Sequence, residues 1–352
     1  MNNDLVQSNN RQVGIWLLIG VGMLIIQVLL GGITRLTESG LSITEWKPIT
    51  GILPPMDTVS WQAEFDKYKL TDQFRYVHVY FTLEDFKFIF FWEWFHRAWA
   101  RLISVVFIVG FVYFLVRNKF NKGMILPMII LFLLGALQGV IGWIMVKSGL
   151  VPEKYFVGHV ELATHFMAAM GLLCYVLWFA LSLLVQQDQF VVNTRLNQLF
   201  LFIMVVLFFQ LIYGSLMAGL KAAQSAPTWP AINSYFIPPT LYELTPLSKN
   251  LISNNITVQF IHRALAYLLM VMIIIAWLRS GKIKNNRLLN FLRASVLFFV
   301  LVQVILGILT VINATVSNRF VLLGVSHQFI GMLLLMTVVS LFYVLRKKRI
   351  LM

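Results

Sequence analysis

Gln198-Leu-Phe-Leu-Phe-Ile-Met-Val-Val-Leu-Phe-Phe-Gln210-Leu-Ile-Tyr-Gly214-Ser-Leu-Met-Ala-Gly219 runs for 22 residues without a charged side chain. A bilayer's hydrocarbon core is crossed by about 20 mostly apolar helical residues, so this stretch reads as one membrane span. Seven more stretches read the same way, near 14–34, 95–116, 124–146, 160–185, 256–278, 290–312 and 321–345. Composition agrees. The chain is 59% hydrophobic and 12% charged, where a soluble domain carries about 25% charged residues, and its mean hydropathy is +0.80. The expected fold is an all-α membrane protein of eight transmembrane helices.

The formal charge of +14 raises the question of a nucleic-acid partner, and the positions of the charges exclude one. Basic residues gather in Arg117–Lys122, Arg279–Arg287 and Arg346–Arg349, whereas the long loop 35–92 carries six Lys/Arg against eight Asp/Glu. In an eight-span chain the three basic segments and the N-terminus share one side, and excess Lys/Arg in short loops marks the cytoplasm. N- and C-termini are therefore expected in the cytoplasm, with loops 35–92 and 220–255 facing outward. Met1–Asn10 is polar and contains Asp4, unlike a secretory signal or an Arg-rich transit peptide. A bacterial cell (inner) membrane is the expected location. The one cysteine, Cys174, lies in the fourth span, so no intramolecular disulfide forms, and it reads as packing.

The quoted span also carries a repeated unit. Gln210-Leu-Ile-Tyr-Gly214 has counterparts in Gln27-Val-Leu-Leu-Gly31, Gln138-Gly-Val-Ile-Gly142 and Gln303-Val-Ile-Leu-Gly307, one in each odd-numbered span. Gln and Gly four apart share a helix face. Such a pair serves ordinary helix packing, or close approach of a flat ligand. The even spans repeat a second feature, with His96-Arg97 and His262-Arg263 near the starts of spans two and six, and His165 and His327 in spans four and eight. The unit is four helices used twice, over 1–190 and 191–352. Two pseudo-symmetric four-helix bundles are expected, related by an axis along the membrane normal.

His96, His165, His262 and His327 all fall in the first turns of a helix entering from outside, hence at one depth in the outer leaflet. Ionisable residues inside a membrane are costly and usually functional. Two histidines on facing helices of a four-helix bundle can supply both axial ligands of a haem iron. Zinc fits less well, because two His per bundle leave too few ligands and no Cys pair exists. A purely packing role for four matched histidines is the bland alternative. His78, in the outer loop, and His159, at a span boundary, are expected not to ligate. Arg97 and Arg263, with Arg101, read either as partners for haem propionates or as snorkelling interfacial cations.

Glu93 stands three residues before His96 on the same helix face, and Gln259 holds the matching place before His262. The asymmetry assigns a reacting haem to the first half, with Glu93 as acid/base or charge stabiliser, and an electron-carrying haem b to the second. The alternative is that Glu93 only pairs with Arg97 or with a loop. Glu161, four residues before His165, also falls on its histidine's face. The Gly- and Pro-punctuated segment Gly31–Pro55 is long enough to form a lid.

These residues resemble the haem A synthase family over essentially the whole chain. The resemblance is carried by Gly31–Pro55, Glu93-x-x-His96-Arg97, Gly142-Trp-Ile-Met-Val-Lys-Ser-Gly-Leu150, Leu162-Ala-Thr-His165, Gln259-x-x-His262-Arg263 and His327. It implies oxidation of the C8 methyl of haem O to a formyl group, by way of hydroxylation, giving haem A for cytochrome oxidase. It further implies that His96 and His165 bracket the substrate haem with Glu93 essential beside it, and that His262 and His327 ligate a resident haem b. The loop cysteine pair of some bacterial members is missing, which places the chain nearer the mitochondrial and proteobacterial branch. Expected partners are haem O, the protohaem farnesyltransferase that makes it, and membrane lipid. The electron partner and the oligomeric state, a homo-oligomer included, stay open. The rival readings are a non-catalytic dihaem b electron carrier, against which the Glu93/Gln259 asymmetry counts, and a transporter or haem channel, for which no charged central pathway is visible.

Overall fold

The computed structural model describes residues 3–45, 50–283 and 286–346. Trp46–Ile49 of the outer-loop segment, and Lys284 and Lys347–Arg349 of the basic segments, lie outside the described residues. The chain forms α1 (Asn3–Leu36), α2 (Thr58–Lys69), α3 (Asp72–Tyr76), α4 (Leu83–Val116), α5 (Ile125–Gly149) and α6 (His159–Leu184). It continues with α7 (Thr194–Gly219), α8 (Ala222–Ser225), α9 (Asn250–Ser253), α10 (Asn255–Ser280), α11 (Arg287–Ile312) and α12 (Ser317–Val344). No strand occurs among the described residues. Eight helices, α1, α4, α5, α6, α7, α10, α11 and α12, are long and apolar enough to cross a membrane. The protein is a multi-pass membrane protein.

The helices start where the sequence supplies caps. Asn193, Asn254 and Asn286 each accept a bond from a backbone N–H in the first turn of α7, α10 and α11, satisfying donors that a helix start leaves bare. Thr82 and Asp85 form a reciprocal capping box at the start of α4. That box starts α4 at Leu83, well before the expected 95. The reason for the extension is packing. Phe65 and Tyr68 of α2 bury against Phe86, Ile89 and Phe90 of α4, so the first turns of α4 form a post on which the folded loop before it sits.

In the first half, α1 packs on α4 and α6, and α5 packs on α6. In the second, α7 packs on α10 and α12, α10 on α11, and α11 on α12. Across the middle, α6 packs on α7 and α12, and α1 on α12. One difference stands out: α10 and α11 are a closely packed pair, whereas α4 and α5 pack far less closely, with Phe107 stacked on Phe132 between them. The core draws on all eight spans, around Leu173, Phe200, Ile203, Ile273 and Leu341. Between helices in lipid such contacts hold by close packing rather than by water exclusion. Cys174 packs at the edge of this core as a free thiol. Arg346 lies 3.9 Å over the Tyr343 ring and 5.1 Å over Trp178, an anchor for the last helix turn.

Polar ties also cross between the halves. Arg35 donates to the carbonyls of Ala218 (2.5 Å) and Gly219 (3.3 Å). Gln328 Nε2 donates to Val28 O (3.0 Å). Lys221 pairs with Glu38, and both residues hold left-handed backbone, φ 53° and 59°. Such a conformation costs about 1 kcal/mol or more in a non-glycine residue, so the pair is kept by its surroundings. His78 Nε2 lies 3.3 Å from Glu38 Oε2, and Tyr68 Oη lies 2.6 Å from His78 Nδ1. Burial is the largest single influence on the Glu38 carboxyl and pushes it up. The bonds from His78 and Lys221, with their charges, together outweigh burial and hold it at about 2. Burial, then the charges of Glu93 and Glu38, push the Tyr68 hydroxyl up. His78 is thus part of a structural network.

Candidate functional site

The four Gln-x-x-x-Gly units and the four histidines meet one to one. A Cβ added at Gly31 would stand 3.3 Å from His96 Nε2, and one at Gly142 would stand 3.0 Å from His165 Cε1. In the second half, a Cβ at Gly214 would stand 3.1 Å from His262 Cε1, and one at Gly307 would stand 3.1 Å from His327 Cε1. Each glycine therefore exists to admit an imidazole edge against its helix. Three of the glutamines reach the same residues, Gln27 at the main-chain carbonyl of His96 and the other two at imidazole nitrogens. Gln27 Nε2 donates to His96 O (3.2 Å), Gln210 Nε2 lies 3.4 Å from His262 Nε2, and Gln303 Nε2 lies 3.2 Å from His327 Nε2.

The His262 and His327 rings face each other across the second bundle, with centroids 6.4 Å apart. His165, His262 and His327 each keep a buried Nδ1 without a hydrogen-bond partner, and Gln27, Gln210 and Gln303 each keep a buried Oε1 without one. Buried polar atoms are nearly always satisfied, so this concentration in two small regions marks places where something other than protein belongs. No group of three or more His, Cys, Asp or Glu side chains comes together among the described residues. The donor set is paired imidazoles, not a multi-carboxylate or cysteine cage.

Glu93 is buried, 2% exposed, and both carboxylate oxygens are engaged. Oε2 accepts from Ser42 Oγ (2.7 Å) and from the Ile43 amide (2.8 Å), and Oε1 accepts from Arg97 (2.5 Å). Arg97 also donates to the carbonyls of Ile43 and Glu45. Glu93 thus pairs with Arg97 and with the loop together, the arrangement set as the alternative to a role in catalysis. Pairing and catalysis are compatible, because a bound carboxylate still presents its charge.

Gln259 occupies the matching place, fully buried, and donates to Ala226 O (3.0 Å). Arg263 donates to the carbonyls of Thr228 (2.7 Å), Pro230 and Ala231 (both 3.4 Å). In both halves, then, a loop is stitched onto the helix that carries the histidine, through the residue three before it and the arginine after it. Non-helical backbone at membrane depth needs its polar groups satisfied, and an arginine's five donors serve that need. Neither arginine is a merely snorkelling cation. Under the first loop lies a cleft of about 320 Å³ lined by Pro54, Trp94, Arg97 and Arg101, among others.

One expected neighbour, Glu161, turns away. A Cβ at Gly158 would stand 1.9 Å from Glu161 Oε2, so Glu161 folds back over the start of its own helix, where a carboxylate is favoured, rather than along the His165 face. His159 Nε2 lies 3.3 Å from Ser253 Oγ at the joint between the halves. Ser42, Ile43 and Ala226 were not singled out in the sequence, since a loop carries no periodic signal that separates one serine or amide from its neighbours.

The description "Cytochrome oxidase assembly protein" (COX15-CtaA) fits residues 14–339. A haem A synthase of Flavobacterium johnsoniae is 37% identical over 334 residues, covering 94% of this chain and 96% of that protein. The haem A synthase of Paracoccus denitrificans is 38% identical, covering 93% and 86%. That of Parvibaculum lavamentivorans is 41% identical over 280 residues, covering 79% and 80%.

Proposed function

The chain belongs to the cytochrome oxidase assembly family, COX15-CtaA, and from that premise we propose how its two halves divide the making of haem A. The reaction is oxidation of a haem O methyl group, an oxidoreductase step that supplies haem A for oxidase assembly. In the proposal the unit 1–190 receives haem O between His96 and His165, and the unit 191–352 keeps a resident haem b between His262 and His327. Both sites lie toward the outer leaflet of a bacterial inner membrane, with the termini in the cytoplasm.

The residues fit the groups. The His262 and His327 imidazoles, with centroids 6.4 Å apart, are close enough that both would hold one haem iron, for which neutral imidazole is a suitable ligand. The glycines let each imidazole lie close against the neighbouring helix, and the unpaired Gln oxygens and His nitrogens would supply polar partners. When bound, haem b supplies one-electron redox chemistry. Arg97 and Arg263, at the outer side of the histidines, are the cations placed to meet porphyrin carboxylates while they hold the loops.

Glu93 carries the assignment of chemistry to the first half. Ser42, Ile43 and Arg97 fix its carboxylate in place, and a positioned anion stabilises positive charge that develops as the methyl carbon is oxidised. Both oxygens already accept bonds, so stabilisation fits better than free proton abstraction. Gln259, with its donor facing a carbonyl, offers no such charge.

The test is co-expression with a haem O-producing farnesyltransferase, followed by chromatography and mass analysis of the extracted haems. Native protein yields haem A beside haem B. Glu93→Gln is expected to keep the haem b spectrum and lose formyl product by at least about a hundredfold, within the range known for removal of one oriented charge stabiliser. Normal haem A yield from Glu93→Gln would sink the catalytic role.

A further inference from the structure

In the first half α4 and α5 pack far less closely than their counterparts α10 and α11 in the second. Only 6% of α4's spanning window is buried, against 22% of α10's. The loosely packed stretch has a definite depth. At its inner end Phe107 of α4 stacks on Phe132 of α5 (centroids 6.4 Å) and on Trp16 (5.6 Å). At 1.5 Å per residue, Phe107 lies about 16 Å inward of His96, and Phe132 about 15 Å inward of Gly142. The loosely packed stretch thus runs from the level of the imidazoles to that aromatic contact.

Side-chain choice keeps it loose. Matching Gln138 to Gln303 sets Gly135 opposite Val300 and Gly139 opposite Val304. Val300 is buried, 2% exposed, in the core of the second bundle. Gly135 and Gly139 have open space where a Cβ would stand. On the facing helix, Leu269 and Ile273 are buried in the second half, while Ile103 and Phe107 at the matching places of the first are partly exposed. His165, whose Nδ1 is buried without a partner, sits against Gly142 at the top of the same stretch.

We infer that the loosely packed α4–α5 stretch is a lateral port, in which the isoprenoid tail of the substrate haem lies over Gly135 and Gly139, and through which that haem passes between lipid and site. The inference rests on the reading of the first bundle as the haem O site. An apolar tail has no reason to leave lipid for water, and a port at imidazole depth lets the macrocycle seat while the tail stays in an apolar groove. In the second bundle the valine at 300 fills the corresponding space, so a tailed haem is excluded there and a tail-less one is retained.

The experiment uses the full chain in detergent with its resident haem, titrated with haem O and, separately, with tail-less protohaem, and read by difference spectra. Gly135→Val with Gly139→Val is expected to weaken haem O at least tenfold and leave protohaem within twofold. The unchanged spectrum of the second bundle reports that the variant is folded, and Gly139→Val alone serves if the double variant is not. Equal loss for both haems, or loss for neither, overturns the port. His96→Ala separates the premise: it should weaken both haems at the first site, and full haem O binding by that variant would overturn the site itself, whatever the valines do.

Discussion

In the second bundle α10 closes on α11, Val300 is buried, and Gln259 donates to a loop carbonyl. In the first, α4 packs only loosely on α5, Gly135 faces open space, and Glu93 accepts from a loop hydroxyl, a loop amide and Arg97. Around the imidazoles themselves the two agree to a few tenths of an ångström in how closely a glycine approaches. The contact proposed to hold a porphyrin is thus repeated, and what surrounds it is not. A site that keeps its group needs a closed wall and no carboxylate beside it. One that exchanges its group and reacts on it needs an opening and a charge.

The comparison breaks most completely at the ligands. His327→Ala or His262→Ala is expected to abolish the resident low-spin spectrum, while His165→Ala leaves it in place. Retention of that spectrum by both second-bundle variants would dissolve the pairing.

A smaller effect tests whether each loop is matched to its own residue. Gln259→Glu sets a carboxylate oxygen where Gln259 Nε2 now meets Ala226 O. That leaves two acceptors facing each other without a donor, and should cost about 1–3 kcal/mol or more. A fall in the temperature at which haem b is released measures it. An unchanged release temperature would mean that the second loop adapts freely, and that donor and acceptor roles are not built into the halves.

The smallest effect concerns the tie between them. Glu38 is held at about 2, below the usual carboxylate range near 4.5, so its contribution is complete above pH 4.5 and fades as pH falls toward 2. Glu38→Gln should lower thermal stability by about 1 kcal/mol or less at neutral pH, with native and variant converging in acid. A gap that widens in acid would reverse the sign and exclude the ion pair as its source.

Much of this was legible in the sequence. The spans are long uncharged runs, and the Gln-x-x-x-Gly units and histidines repeat with the period of the fold, so both survive reading in one dimension. The start of α4 was misplaced because Glu84, Asp85 and Lys87 look like loop, while the capping box and the aromatic contacts with α2 keep the segment helical. Ser42 and Ala226 were invisible because their roles come from a chain that folds back across dozens of residues. The loose packing of α4 on α5 was equally hidden. Gly135 reads as an ordinary small residue until the valine in its counterpart position is seen to be buried.

The connection between the two units runs only from Val185 to Asn193. The other ties are non-covalent, among them Arg35 on Ala218, Gln328 on Val28 and Lys221 on Glu38. Severing the backbone in that connection removes one tether and leaves those contacts standing. Two genes encoding four spans each would therefore produce partners that already carry the means of finding one another, and mutational drift in either is limited chiefly by the surface it shares with the other.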